Sequence, residues 1–257
     1  MNPPSWLRLS SWGVLAFLYV PVLVLTVFSF NAARLSASWR GVTLRWYGDM
    51  VRDEALWQAV HNSLIVAICS TALAVGLGLA AAVALESGAC RGAGCRRLVD
   101  AVFVLPLLIP EVMMGVSLLL LFVLLRLPLS VATVTIGHAV FNLPVVTWIV
   151  RARLRKLDPR LVEAARDLGA TPWLAFRRVT LPLLMPAVVG AALLAFTVSL
   201  DDFVVTFFTA GPGATTLPLY VYAMVKSGVT PVINALSASL VAVSMFLVAG
   251  ALLLQRR

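Results

Sequence analysis

Charge is what this sequence has least of. Only 12% of its 257 residues are Asp, Glu, Lys or Arg, against roughly a quarter in ordinary soluble domains. Histidine is down to two residues and cysteine to three. No phosphate-cradling glycine-rich loop occurs, so a nucleotide site of that kind is not expected in this chain. His61 and His138 are far apart in the chain, and no nucleophile stands at a base's spacing, which argues against a membrane enzyme. Cys90 and Cys95, in Cys-Arg-Gly-Ala-Gly-Cys, would need further ligands to hold a metal and read as reduced, incidental thiols. Cys69, inside an apolar run, reads as a small buried hydrophobe. No metal or cofactor is expected in this chain.

What fills the sequence instead is hydrophobic, 61% of it. The expectation is an all-α polytopic membrane protein in the lipid bilayer. Six runs approach the roughly 20 apolar residues that span a bilayer core: Trp12–Phe30, Ser63–Leu85, Ala101–Leu125, Leu127–Val150, Val179–Leu200 and Val232–Leu254. The first is longer than a signal-peptide core and follows a single basic residue, so it reads as a retained helix. The third and fourth are divided by little more than Arg126-Leu127-Pro128, which predicts a tight hairpin. Residues 31–61 begin irregular and turn helical near Tyr47, with Trp39, Trp46 and Trp57 suited to headgroup depth. Neither repeat nor linker is visible, so one domain is expected over residues 1–257.

The net charge of +9 orients the chain rather than marking a nucleic-acid surface. An even number of spans puts both termini on one side. Most basic residues fall on that side, with Arg151, Arg153, Arg155, Lys156, Arg160, Arg166, Arg177 and Arg178 clustered around one loop. The positive-inside bias therefore places the termini and that loop in the cytoplasm.

Within that loop, Asp158-Pro159 is a helix start, since the carboxylate can accept from free first-turn N–H groups and proline has none to waste. Leu161, Ala164, Ala165 and Leu168 share one helix face. Gly169 supplies the left-handed closing residue, and Thr171-Pro172 starts a second helix. An apolar face on a loop between spans needs a protein partner or the membrane surface.

Five polar side chains stand out within the spans or at their ends. Glu111 follows Pro106 and Pro110, which should bend or break the third span, and lies about 18 Å along it at 1.5 Å per residue. A carboxylate at such depth should face a cavity or a partner. His138 and Asn142 share a face of the fourth span; interhelical hydrogen bonds are the first expectation and lining a path the second. Asp201 and Asp202 close the fifth span, pointing about 100° apart, so one of the two need face a pore. Gly211-Pro212-Gly213 is turn chemistry before Tyr220 and the last span.

Glu163-Ala164-Ala165, Gly169 and Val179-Thr180-Leu181-Pro182 at their spacing resemble the EAA signature of permease subunits in binding-protein-dependent ABC importers. Ser29-Phe30-Asn31, Arg45-Trp46-Tyr47-Gly48, Ser199-Leu200-Asp201-Asp202, the run Gly211 to Pro218 and Asn234-Ala235-Leu236 resemble the polyamine group of that family, the putrescine system foremost and the spermidine system beside it. The resemblance covers essentially the whole chain. It implies a type I importer permease in the bacterial inner membrane, with a five-helix core over about 62–254 and one accessory helix at about 12–30. It implies a coupling loop at 158–178, in which Glu163, Ala164, Ala165, Arg166, Gly169, Leu181 and Pro182 serve a cytoplasmic ATPase. The implied partners are a second homologous permease, two ATPase subunits carrying ATP and Mg, and a periplasmic polyamine-binding protein. A dicationic cargo needs compensating negative charge in a low-dielectric passage. Glu111 with Asp201 or Asp202 could supply it, Phe203, Phe207 and Tyr220 could add cation–π contacts, and Asn142 could line the same path. A proton- or sodium-coupled secondary transporter is the competing reading; it predicts inverted repeats, which the sequence lacks, and leaves the EAA pattern unexplained.

Overall fold

The computed structural model describes residues 5–33, 38–87, 92–228 and 230–255. The expectation for Cys90, and that for the side chain of Cys95, lie outside the described residues. Among those described the chain is helical, with one isolated bridge from Asn31 to Val42. The helices are α1 (Ser5–Phe28), α2 (Arg45–Val51), α3 (Glu54–Glu86), α4 (Ala93–Leu108), α5 (Glu111–Leu124) and α6 (Val131–Leu154). After them come α7 (Arg160–Asp167), α8 (Pro172–Ala175), a π-helical turn (Phe176–Thr180), α9 (Leu181–Asp201), α10 (Val204–Thr209), α11 (Leu217–Ser227) and α12 (Pro231–Gln255). Two compact units divide them, residues 1–57 with 220–257, and residues 58–219.

In the first unit α1 and α2 both pack on α12. The loop between α1 and α2 is built on Asn31. Its amide donates to the Ser38 carbonyl at 2.7 Å and its Oδ1 accepts from the Ala33 and Arg40 amides. Trp46 then donates its indole N–H to the Asn31 carbonyl at 2.7 Å. That bond corrects the interfacial reading of Trp46, which is buried, whereas Trp39 and Trp57 are exposed as expected. Asp53 closes the corner before α3, with Oδ1 accepting from the Leu56 amide and Oδ2 from the Tyr220 phenol. Burial, reinforced by that carboxylate, pushes the Tyr220 phenol up to about 12, so it remains a neutral donor.

In the second unit α3, α6 and α9 share a core in which Ala74, Ala82, Ala191 and Ala195 let backbones approach around Val146, Val150, Leu184 and Val188. Cys69 is exposed on α3 rather than buried, on the side that carries Leu64, Ile65 and Ile68. The third apolar run is two helices, α4 and α5, meeting at 109°. Pro110 makes the break, holding Ile109 extended at ψ 132°; Pro106 stays inside α4. The expected tight hairpin after α5 is also corrected. The short helix α10 packs against both α5 and α6. It fits because a Cβ on Gly115 would meet the Phe208 ring at 2.6 Å and one on Gly137 would meet Val205 at 3.0 Å.

At the far end of α6 the acids are matched. Arg151, counted in the sequence with the loop cations, is instead buried in the last turn of α6 at 2% exposure. Its Nε donates to Glu86 at the end of α3 and its Nη1 to Asp100 on α4, each at 2.5 Å. Arg155 adds a second bond to Glu86 at 2.8 Å.

Among the described residues four helices are long and apolar enough to cross a membrane, and a fifth span arises if α4 and α5 count as one. The sixth expected span corresponds to α12, whose described apolar stretch, Pro231–Phe246, is shorter.

Candidate functional site

Two regions of the second unit gather the residues singled out by chemistry. The first is a cavity of about 450 Å³ where the α4–α5 break faces the end of α9; Glu111, Asp201, Asp202, Phe203, Phe141 and Met114 are among its lining residues. Glu111 is the first residue of α5, exposed, and Asp201 is the last of α9, also exposed. Among the described residues neither carboxylate has an ion pair or a side-chain hydrogen bond. Their helix ends differ in sign. The free N–H groups of α5 favour a carboxylate at Glu111, while the C-terminal carbonyls of α9 disfavour one at Asp201.

Asp202 behaves differently from its neighbour. The chain leaves the helix there, with ψ at 123°, so the two acids are separated by a backbone break and not by a turn of helix. The Asp202 carboxylate is nearly buried. It accepts from the Val205 and Thr206 amides at 3.3 and 2.9 Å and from the Thr206 hydroxyl at 3.0 Å, capping α10. His138 approaches it from α6 with Nε2 at 3.1 Å.

The buried polar groups of α6 make interhelical bonds, as first expected. His138 Nδ1 lies 2.7 Å from Ser199 Oγ, and Ser199 is 3.1 Å from Ser70 on α3. Asn142 donates to the Ala195 carbonyl at 3.3 Å; it is not among the cavity's lining residues. Nor is Phe207, which is exposed and touches the Phe203 and Phe208 rings. Tyr220 belongs to the first unit, on Asp53. The partnership of His138 with Asp202 escaped the sequence; its only signal was a lone histidine and an aspartate immediately before an apolar run, Phe203 to Phe208, with polar Thr206 inside it.

The second region is the hook α7–α8. Asp158 Oδ1 accepts from the Arg160 amide at 3.0 Å to start α7. Gly169, at φ +85°, ends it: its amide donates to the Arg166 carbonyl and that of Ala170 to Ala165, the six-to-one and five-to-two pairing of a Schellman stop. Thr171 Oγ1 accepts from the Leu174 amide to start α8. No residue of α7 is buried. Glu163, Ala164, Arg166 and Gly169 are exposed and Ala165 is half-buried. Leu168 is 90% and Trp173 68% exposed, so the apolar face is not covered by this unit. From Pro172 the helix runs without a stop through the π turn to Asp201. Leu181, half-buried, and Pro182, exposed, stand where that rod enters α9.

A family model described as binding-protein-dependent transport system inner membrane component matches residues 74–257. The chain is 45% identical over 229 residues to the putrescine transport system permease protein PotI of Escherichia coli (strain K12), covering 86% of this chain and 80% of that protein. It is 39% identical over 244 residues to the spermidine/putrescine transport system permease protein PotC of the same strain, covering 95% and 91%. In fold it is similar to a chain of a bacterial alginate ABC transporter solved in complex with an alginate pentasaccharide-bound periplasmic protein. That likeness has a TM-score of 0.73 at 18% identity, over 95% of this chain and 89% of that one.

Proposed function

The chain belongs to the family of binding-protein-dependent transport system inner membrane components, and on that premise we propose that it is the permease subunit of an ABC importer for small polyamines, putrescine first and spermidine second. The observation that carries the cargo class is the pair of unmatched carboxylates, Glu111 and Asp201, on one cavity. A carboxylate that faces a cavity within apolar helices, with no cation of its own chain, is stabilised when a cationic solute arrives. Phe203 and Phe141 line the same cavity and offer ring faces to an ammonium group. The names of PotI and PotC point to the same cargo.

Import then proceeds by alternating access, with both termini and the hook in the cytoplasm. A second, homologous permease and a periplasmic polyamine-binding protein complete the path, and two ATPase subunits hold the ATP and Mg. The exposed face of α7, with Glu163, Ala164, Ala165 and Arg166, seats in an ATPase groove. Because Pro172 to Asp201 is one uninterrupted rod of about 45 Å at 1.5 Å per residue, displacing the hook moves the acid at its other end. The reading is tested by reconstituting the complex with its binding protein and measuring ATP turnover. Putrescine or spermidine should stimulate it and a neutral diol of equal length should not; equal response to the diol would refute the cargo class. Gly169→Ala strains the left-handed stop by about 1–2 kcal/mol. It should leave ATP turnover running while uptake falls several-fold; unaltered coupling would remove the role assigned to the hook.

A further inference from the structure

The buried network around His138 has no place yet in the path, although it reaches three other helices. We propose that His138 is a positioning residue: it anchors the break between α9 and α10 through Asp202, holding that lining carboxylate on the protein and leaving Asp201 as the acid of the pair open to a cation in the cavity. The inference rests on the cation-path reading above and goes one step past it.

Three observations carry it. The imidazole is 1% exposed, yet both its nitrogens are within hydrogen-bond distance of side chains on other elements, Ser199 of α9 on one side and Thr206 and Asp202 on the other. Those partners flank the break from both directions, Ser199 before it and Thr206 after it. The carboxylate they hold is already an acceptor of two backbone amides, so Asp202 is spent on the protein while Asp201, one residue earlier, has no ion pair or side-chain hydrogen bond among the described residues. An ionised Asp202 accepts only, which assigns the ring proton to Nε2; Nδ1 then accepts from the Ser199 hydroxyl, and Ser70 donates in turn to Ser199. Each ring nitrogen thereby has a partner. Had α9 continued helically past Asp201, the second acid would sit a further 100° around the helix and no element would fix which of the two faced the cavity.

The two amide replacements of His138 separate this role from mere packing. The glutamine amide reaches about as far as Nε2 and can still donate to Asp202; the asparagine amide reaches only as far as Nδ1. In the full complex, measured as radiolabelled putrescine uptake in cells, His138→Gln should keep at least half of the maximal rate, whereas His138→Asn and His138→Ala should lose tenfold or more. Asp202→Asn, which keeps the volume and an acceptor, should lose a similar factor, and the double variant His138→Ala/Asp202→Asn should be no worse than the poorer single one, because both remove the same anchor. Co-purification of the partner subunits with each variant separates lost assembly from lost transport. Equal impairment of the Gln and Asn variants, uptake losses that multiply in the double variant, or unaltered uptake throughout would overturn the proposal. Asp201→Asn run alongside tests the underlying reading by itself: normal uptake there refutes the cation path and this inference with it, while a loss there combined with any of the overturning results refutes the role of His138 alone.

Discussion

The second unit treats its acids in two opposite ways. At the end of α6 Glu86 and Asp100 share the buried Arg151 guanidinium, with Arg155 added. At the α4–α5 break and the end of α9, Glu111 and Asp201 line a cavity with no cation among its described lining residues. Burying a carboxylate costs several kcal/mol unless something answers it. Where the chain uses acids to tie helices together, it supplies the answer itself. Where it leaves them bare they are exposed on a cavity, open to a charge from outside, which is what the proposed site requires. Asp202 shows the contrast within two residues, since it is matched by His138 and the α10 amides while Asp201 is not.

The strongest way to break this comparison is to unmatch the matched side. Arg151→Ala leaves two carboxylates facing each other at a helix junction and should cost about 3–5 kcal/mol, read as loss of folded, assembled protein by fluorescence-detected size exclusion after mild heating. A variant as stable as the parent would mean the cluster ties nothing. A smaller effect is expected at Tyr220, whose phenol answers Asp53 in the first unit. Tyr220→Phe should cost about 1.5 kcal/mol, the worth of a hydrogen bond to a charged group. Because the phenol's folded value is raised to about 12 above the ordinary 10, this contribution is complete below pH 10 and lost only as pH rises through 12. The parent and Tyr220→Phe should therefore differ in thermal midpoint by the same amount at pH 6 and pH 9; a gap that closes by pH 9 would contradict the assignment. The smallest effect sharpens the comparison. Arg155→Ala removes the exposed member of the Arg151 cluster and should cost under about 1 kcal/mol, since Arg151 still holds Glu86; a cost equal to that of Arg151→Ala would make the two arginines equivalent.

Much of this was legible because the chemistry is local. Asp158, Gly169 and Thr171 announce the hook's start, stop and restart within one turn of the residues they serve, and all three act as expected. Pro110 likewise writes its own break. What stayed hidden depends on partners far along the chain. The Asp202 cap of α10 was masked by apolar Val204 to Phe208, which reads as a continuing span, and the partner that completes it, His138, is on another helix. Arg151 was misplaced for a related reason: counting arginines toward the inner face treats each as a loop residue, and nothing near it in sequence reveals the two acids that let it be buried. The apolar face of α7 was legible as a surface in need of cover, and the fold of this unit leaves it uncovered.

The central claim is that the bare acids are bare for a cargo. Asp201, at the helix end that opposes its charge, should gain more from a bound cation than Glu111, at the end that favours it. The direct measurement takes Asp201→Asn and Glu111→Gln in the assembled complex and reads putrescine uptake beside the thermal midpoint. The account predicts uptake down tenfold or more for Asp201→Asn and less for Glu111→Gln, with both midpoints equal to or above the parent's, because an unanswered charge has been removed. Normal uptake in Asp201→Asn, or a midpoint that falls as it does for Arg151→Ala, would contradict it.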